Sequence, residues 1–344
     1  MSEKQKILFI QTAFPGDAIL TLPALQMLKQ SSPDCVIDVL CIPGTKEIFG
    51  ASESVDNVIV LDKRGKHKSV FKTYKFSKEL SENGYTRVYS AHRSFRTALI
   101  VLNLQVRESF GFDNSSLMHV YKHIVPYHLN KHEVQRNLDL VGYEYDNDSW
   151  KVIPKINTTT ETKEKVKEFI SNNELDKGFI AVAPASIWNT KMYPAESYTK
   201  IINHLINKGN KIVLIGSKDE SEYLQTISDK CKKDVINAAG LFSIVESIEL
   251  LKNAKLLICN DSAPTHMGMA ARVKTLTIYC STIPGFGFYP YSENSDYLSY
   301  DDLYCKPCGI HGYKKCPIKT FDCGNKLSSD LIINKIEEML VGRN

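Results

Sequence analysis

Lys6-Ile7-Leu8-Phe9-Ile10-Gln11-Thr12-Ala13-Phe14-Pro15-Gly16-Asp17-Ala18-Ile19-Leu20-Thr21-Leu22-Pro23 decides the fold of this chain. The apolar run Ile7 to Ile10 follows a charged start and reads as a strand buried on both faces, as in a parallel sheet. Pro15 presets its own φ and Gly16 tolerates angles other residues avoid, so Phe14-Pro15-Gly16-Asp17 is a strand-to-helix turn. Asp17 is the expected N-cap of the helix that follows, and Pro23 either kinks that helix or marks its first turn. Open α/β sheets bind ligands at the carboxyl ends of their strands, where this turn sits. The segment therefore leaves two readings of Asp17: a cap for free helix amides, or a base at a cleft.

The same alternation extends outward. Strand-like runs at Ile7–Ile10, Val36–Cys41, Asn57–Leu61 and Arg87–Ser90 are separated by helical stretches at Ala18–Gln30 and Phe71–Asn83. Polar Ile156-Asn157-Thr158-Thr159-Thr160-Glu161-Thr162-Lys163 places a linker near 150–162 and introduces a helix ending near Asn173. Strands are then expected at Phe179–Pro184, Lys211–Gly216, Val235–Asn237, Leu256–Cys259 and Thr275–Tyr279, with helices near Ala195–Lys208, Glu220–Lys232 and Ile244–Lys252. Two doubly wound α/β halves facing a cleft are the economical arrangement. Ser328–Leu340 reads as a closing amphipathic helix with Leu331, Ile332, Ile336 and Leu340 on one side.

Composition narrows the function. At 344 residues and 43% apolar content the chain has the make-up of a folded protein of two ordinary domains. A formal charge of +4 is too mild to argue for nucleic acid. No run of about 18 apolar residues occurs, and the stretch after Met1-Ser2-Glu3-Lys4-Gln5-Lys6 is too short for a signal peptide, so a cytoplasmic location is expected. Of the nine cysteines, those at 35, 41, 231, 259 and 280 lie in or beside apolar runs, as in a reducing compartment.

Three strand ends in the second half carry ligand-type chemistry. Ala183-Pro184-Ala185-Ser186-Ile187-Trp188-Asn189-Thr190-Lys191 is a small-residue turn suited to phosphate, with Lys191 placed to neutralise charge on a leaving group. It lacks the glycine spacing of a Walker loop. Asn260-Asp261-Ser262-Ala263-Pro264-Thr265-His266 opens a helix whose amides at 262 to 265 could hold a diphosphate, Asp261 orienting the loop or taking a sugar hydroxyl. Gly216 followed by Glu220 suits a ribose. In the first half, Asp62-Lys63-Arg64-Gly65-Lys66-His67-Lys68 and His92-Arg93-Ser94-Phe95-Arg96 are basic stretches, solvated faces or attractors of a polyanionic acceptor. Cys305, Cys308, Cys316 and Cys323 have partial zinc-knuckle spacing, with free thiols and disulfides as equal alternatives.

Together these segments resemble glycosyltransferase family 9, the ADP-heptose:lipopolysaccharide heptosyltransferases, and more the heptosyltransferase II type. The resemblance spans nearly the whole chain. It rests on Gly16-Asp17 with Leu20-Thr21-Leu22-Pro23-Ala24-Leu25, His132-Glu133-Val134-Gln135-Arg136-Asn137-Leu138, Ser186 to Lys191 with Pro194, Asn260 to His266, and the cysteine tract from Cys305 to Gly324. It implies a GT-B fold, with an acceptor-binding Rossmann-like domain at 1–155, a nucleotide-sugar domain at 156–325 and a helix at 326–344 returning toward the first domain. It implies inverting, metal-independent sugar transfer without a cofactor. Asp17 would be the base and Lys191 would stabilise departing ADP. Ser186, Thr190, Gly216, Glu220, Asp261, Ser262, Ala263, Thr265 and His266 would hold the ADP-sugar. Lys63, Arg64, Lys66, Arg93 and Arg96 would face a lipopolysaccharide core or lipid A acceptor. A monomer in peripheral contact with the inner membrane surface, with no nucleic-acid partner, completes the expectation. Where members often carry Pro-Gly-Ser and Asp-Ser/Thr-Gly, this chain has Pro184-Ala185-Ser186 and Asp261-Ser262-Ala263, and losing glycine restricts close backbone approach. The alternatives are a related member using another nucleotide sugar and a non-catalytic sugar-nucleotide binding protein.

Overall fold

The computed structural model describes residues 5–232 and 235–341. The chain divides into two compact units between Asn157 and Thr158, inside the polar stretch that reads as a linker. The first unit contains strands β1 (Lys6–Ile10), β2 (Val36–Cys41), β3 (Asn57–Val60), β4 (Arg87–Ser90), β5 (Glu108–Phe112) and β6 (His123–Val125). Its α-helices are α1 (Pro15–Ser31), α2 (Lys46–Gly50), α3 (Val70–Ser81), α4 (Phe95–Leu104) and α5 (Glu133–Leu140). The strands pair in parallel in the order β3-β2-β1-β4-β5-β6.

The second unit repeats this plan. Its strands are β7 (Phe179–Ala183), β8 (Ile212–Leu214), β9 (Ile236–Asn237), β10 (Ala254–Asn260), β11 (Thr275–Tyr279) and β12 (Ser295–Ser299), parallel in the order β12-β11-β10-β7-β8-β9. Its α-helices are α6 (Thr160–Asn172), α7 (Ala195–Asn207), α8 (Ser221–Ser228), α9 (Ile244–Leu251), α10 (Ala263–Ala271), α11 (Asp322–Asn325) and α12 (Ser329–Val341). Counted from its own first strand, each sheet runs 3-2-1-4-5-6, the doubly wound order whose switch point lies between the first and fourth strands. That places the ligand-type strand ends at β1/β4 in one unit and β7/β10 in the other.

Several elements differ from expectation for identifiable reasons. Helix α1 begins at Pro15 with Phe14 as N-cap, so Asp17 lies in the first turn and is not the cap. Proline is at home at N1, where its missing N–H costs nothing. The helix continues through Pro23, which is buried along with Ile19, Leu20 and Leu22. Strands β5, β6 and β12 have no apolar alternation to announce them, and α4 is largely an apolar run without a polar face. Helix α4 is nevertheless capped, Ser94 accepting from Thr97 N–H at 3.3 Å. The expected helix Glu220–Lys232 is shorter, a turn at Lys218–Glu220 leading into α8.

The core of the second unit joins Ile180 and Val182 of β7, Leu256 and Ile258 of β10, Leu276 and Ile278 of β11, and Tyr198, Ile201 and Leu205 of α7. Helix α12, expected to turn back toward the first domain, puts Ile332, Ile333 and Ile336 into this core. Of the expected stripe, Ile332, Ile336 and Leu340 pack on this core while Leu331 faces outward at 49% exposure, its place taken by Ile333. Ile336→Ala should destabilise the second unit by about 2–5 kcal/mol in urea unfolding, whereas Leu331→Ala should change it by no more than about 0.5 kcal/mol.

Candidate active site

The switch point of the second sheet is organised by a fully buried amide, Asn260 at the end of β10. Its Nδ2 donates to Pro184 O at 2.7 Å, and its Oδ1 accepts from Tyr193 N–H and the Tyr198 hydroxyl, each at 3.0 Å. The Ala185–Met192 loop is thereby pinned at both ends. The next residue, Asp261, meets Lys191, with Nζ 2.6 Å from Oδ2. Thr282 Oγ1 donates to the same oxygen at 2.6 Å. Both charged side chains are largely buried, a situation tolerated only when charge meets charge and the spare lone pairs find donors. An ammonium has three N–H donors, so the pairing with Asp261 leaves capacity for an anion.

Thr190 fixes the height of this loop. Its hydroxyl donates to Tyr313 O at 3.0 Å and accepts from Tyr313 N–H at 2.8 Å and Ser281 Oγ at 3.0 Å. A hydroxyl offers one donor and two lone pairs, so it is saturated by protein partners. Gly312, at φ +76°, makes the approach possible, since a Cβ there would stand 2.9 Å from Ser281 Oγ and 3.0 Å from Thr190 Oγ1. Thr265 is likewise turned inward, fully buried with Oγ1 3.1 Å from Thr277 Oγ1. Of the amides at 262 to 265, Pro264 has none and that of Thr265 bonds Ser262 O at 3.0 Å, which leaves those of Ser262 and Ala263. His266 is buried, its Nδ1 has no partner, and burial pushes it down to about 4, so the ring is neutral at physiological pH.

Ser186 is half-buried and accepts from Trp188 N–H at 3.3 Å. Beyond β8, Glu220 Oε2 accepts from Ser217 N–H at 2.7 Å in a capping box, and a Cβ on Gly216 would stand 3.1 Å from that oxygen.

In the first unit, Thr12 after β1 and His92 after β4 meet at the switch point, Oγ1 to Nδ1 at 2.8 Å, and Lys63 Nζ donates to Thr12 O at 2.7 Å. Asp17 is half-buried, and burial with the nearby negative charge of Glu133 raises it to about 7 against the opposing pull of backbone hydrogen bonds and Arg93. Glu133 belongs to a buried frame on α5. It accepts from the Tyr127 hydroxyl at 2.9 Å and from Arg136 Nη1 at 3.0 Å, while the Arg93 guanidinium stands 4.1 Å from the Tyr127 ring centroid. Helix α5 is secured by a capping box between His132 and Gln135, and Asn137 Nδ2 ties it to Leu20 O of α1 at 3.3 Å.

These doubly wound units match a known family. The glycosyltransferase family 9 (heptosyltransferase) pattern fits residues 73–316. The chain belongs to glycosyltransferase family 9. It is 24% identical over 306 residues to lipopolysaccharide heptosyltransferase 3 of Escherichia coli K12, covering 82% of this chain and 84% of that one. To lipooligosaccharide heptosyltransferase 2 of Haemophilus influenzae it is 25% identical over 302 residues, 81% of this chain and 84% of that one. The solved family 9 glycosyl transferase of Veillonella parvula is similar with a TM-score of 0.86 at 22% identity, covering 100% of this chain and 99% of that one. E. coli ADP-heptose heptosyltransferase II matches with a TM-score of 0.79 at 18% identity, covering 98% and 99%. The fold is GT-B, and the chain is a glycosyltransferase enzyme.

Within this family 9 chain, the expected residues separate by placement. Lys191, Asp261, Ser262 and His266 converge at β7/β10, whereas Thr190 and Thr265 hold the frame behind them. Arg93 lies close enough to Asp17 to act on its charge and Lys63 bonds Thr12 at the switch point, while Arg64 and Lys66 are exposed. Arg96 is consumed structurally: Nη1 donates to His67 O at 2.6 Å and Nη2 to Lys68 O at 3.0 Å. Cys305, Cys308, Cys316 and Cys323 line one cavity of about 220 Å³ with Tyr313. All nine cysteines are free, and no group of three or more His, Cys, Asp or Glu among the described residues is arranged to hold a metal ion. Sequence reasoning missed the supports: Ser281, Thr282 and Tyr313 carry no local signal, and helix α5 was not anticipated although the spacing from His132 to Gln135 is that of a capping box.

Thr190→Val keeps the shape but strands the Tyr313 amide and the Ser281 hydroxyl, and should cost about 1–3 kcal/mol of stability in denaturant unfolding. Asp17 is raised in the folded state, so folding loses stability as pH rises from about 4 to about 7, while the unfolded carboxyl ionises and the folded one stays protonated. Asp17→Asn should therefore be more stable than the native protein at pH 8 and nearly equal to it at pH 4, as read from thermal melts across pH.

Proposed function

We propose that the protein transfers a heptose from an ADP-heptose donor to the inner core of lipopolysaccharide with inversion at the anomeric carbon. Curated relatives named as lipopolysaccharide and lipooligosaccharide heptosyltransferases support the sugar and the acceptor. The observation that carries the mechanism is Asp17: a half-buried carboxylate beyond the end of β1, poised near 7. An unperturbed Asp near pKa 4 is a poor match for an alcohol, and burial brings its basicity closer to the task. Asp17 takes the proton of the acceptor hydroxyl as that oxygen bonds to the anomeric carbon. The bond from that carbon to the ADP oxygen breaks, and the electron pair leaves with ADP. Lys191, with N–H capacity beyond its bond to Asp261, meets the growing negative charge. Ser262 and Ala263 supply amides at the N-terminus of α10, and neutral His266 offers an unpartnered ring nitrogen.

Lys63 and Arg93 are the basic residues proposed to draw acceptor phosphates toward Asp17, with Arg64 and Lys66 reaching outward from the same loop. The enzyme works at a cytoplasmic face of the membrane in this reading. Among the described residues no helix is long and apolar enough to cross a membrane.

ADP release from ADP-heptose with a truncated core acceptor should fall by about 10²–10⁴-fold in Asp17→Asn. The native kcat/KM should rise with pH through about 7 and then level as Asp17 ionises. Substantial activity in Asp17→Asn at any pH removes Asp17 as base. Lys191→Ala should lower kcat more than it raises KM. A thermal-shift panel of ADP-, UDP- and GDP-sugars distinguishes donors, since only a ligand that binds the native state raises the melting temperature.

A further inference from the structure

We propose that α3 and the basic loop before it form a docking surface for an anionic lipid bilayer. From Lys63 to Lys78 the sequence holds seven Lys or Arg and no Asp or Glu, while the whole chain carries only +4, so the rest of it is net acidic. This concentration of charge spans the loop after β3 and helix α3 of the first unit. Lys66, Lys68, Lys72, Lys75 and Lys78 are all exposed.

Apolar side chains stand among these charges. Val70, Phe71 and Tyr74 of α3 and Phe95 at the start of α4 are each about half or more exposed, Phe71 at 75%. The opposite face of α3 has what it needs for packing: Thr73, Ser77 and Leu80 are buried, and Asn103 of α4 donates to Ser77 Oγ at 2.8 Å. Burial of the aromatic ridge is therefore not required for the helix to fold, and a helix built only for water would place polar residues there. The ridge is also held rigidly. Ser69 caps α3 by accepting from Lys72 N–H at 3.1 Å, and Arg96 bonds His67 O and Lys68 O, fixing the basic loop to α4. Lys78 Nζ stands 5.7 Å from the Tyr74 ring centroid, with its alkyl stem beside the ridge.

Charge complementarity selects the occupant. Bulky apolar groups projecting from a helix flanked by lysines are the pattern of an element lying in a bilayer interface, its aromatics at the acyl boundary and its ammonium groups on anionic headgroups. Docking rests on the proposed reaction only for its purpose, a lipid-linked acceptor. Its test is independent of the donor.

Sedimentation with phosphatidylcholine vesicles, with and without phosphatidylglycerol, measures docking directly. The native chain should sediment with the anionic vesicles only, and rising salt should release it. Phe71→Ser with Tyr74→Ser, and separately Lys72→Glu with Lys75→Glu, should weaken partitioning by at least about tenfold. All four side chains are exposed and none belongs to the assigned site, so turnover of a delipidated core acceptor should stay at the native rate. Native protein that ignores anionic vesicles, or variants that bind them undiminished, overturns the proposal, as does a single-stranded oligonucleotide that binds through these residues while vesicles do not. Residue-dependent sedimentation with no ADP release from any donor upholds docking and removes the proposed reaction instead.

Discussion

A carboxamide shielded from bulk solvent must find partners for both ends, and much of the second unit's chemistry follows from how Asn260 does so. Bonding Pro184 and Tyr193 across eight residues of loop fixes where Lys191 emerges from the frame. The neighbouring Asp261 then supplies the countercharge that lets an ammonium sit largely out of water. Remove the brace and the lysine has no reason to remain at the switch point. The strand ends set the positions, and the hydrogen bonds keep them.

The first unit solves a different electrostatic problem. Asp17 is placed by a helix whose N-terminus would ordinarily favour a charged carboxylate. Burial and Glu133 overcome that preference, and Glu133 is itself held in place by hydrogen bonds from Arg136 and Tyr127. A carboxylate held by its own partners acts on its neighbour as a fixed negative charge. The two switch points thus hold different groups, a carboxyl raised toward neutrality and a lysine fixed by an ion pair.

Much of this was legible in the sequence. Buried strands announce themselves by continuous apolar runs, and Ile7–Ile10, Phe179–Pro184 and Leu256–Cys259 were readable for that reason. The edge strands β6 and β12 were not, because a strand exposed to water needs no apolar run. Asp17, Lys191 and Asp261 were singled out because ligand chemistry concentrates where parallel strands end. The inward turn of Thr190 and Thr265 was invisible, since a hydroxyl's partners come from segments far along the chain: Tyr313 in one case, Thr277 in the other. The resemblance carried the sugar and the acceptor, which no spacing of residues could specify.

The frame around Asp17 uses residues up to Asn137, and that around Lys191 uses residues from Pro184 to Tyr313, with no member shared between the units. Each half therefore carries its own complete set of supports. Substitutions that retune one half leave the other's geometry intact, so the two can diverge separately, and exchanging whole halves between related chains is a sounder route to new specificities than grafting single loops.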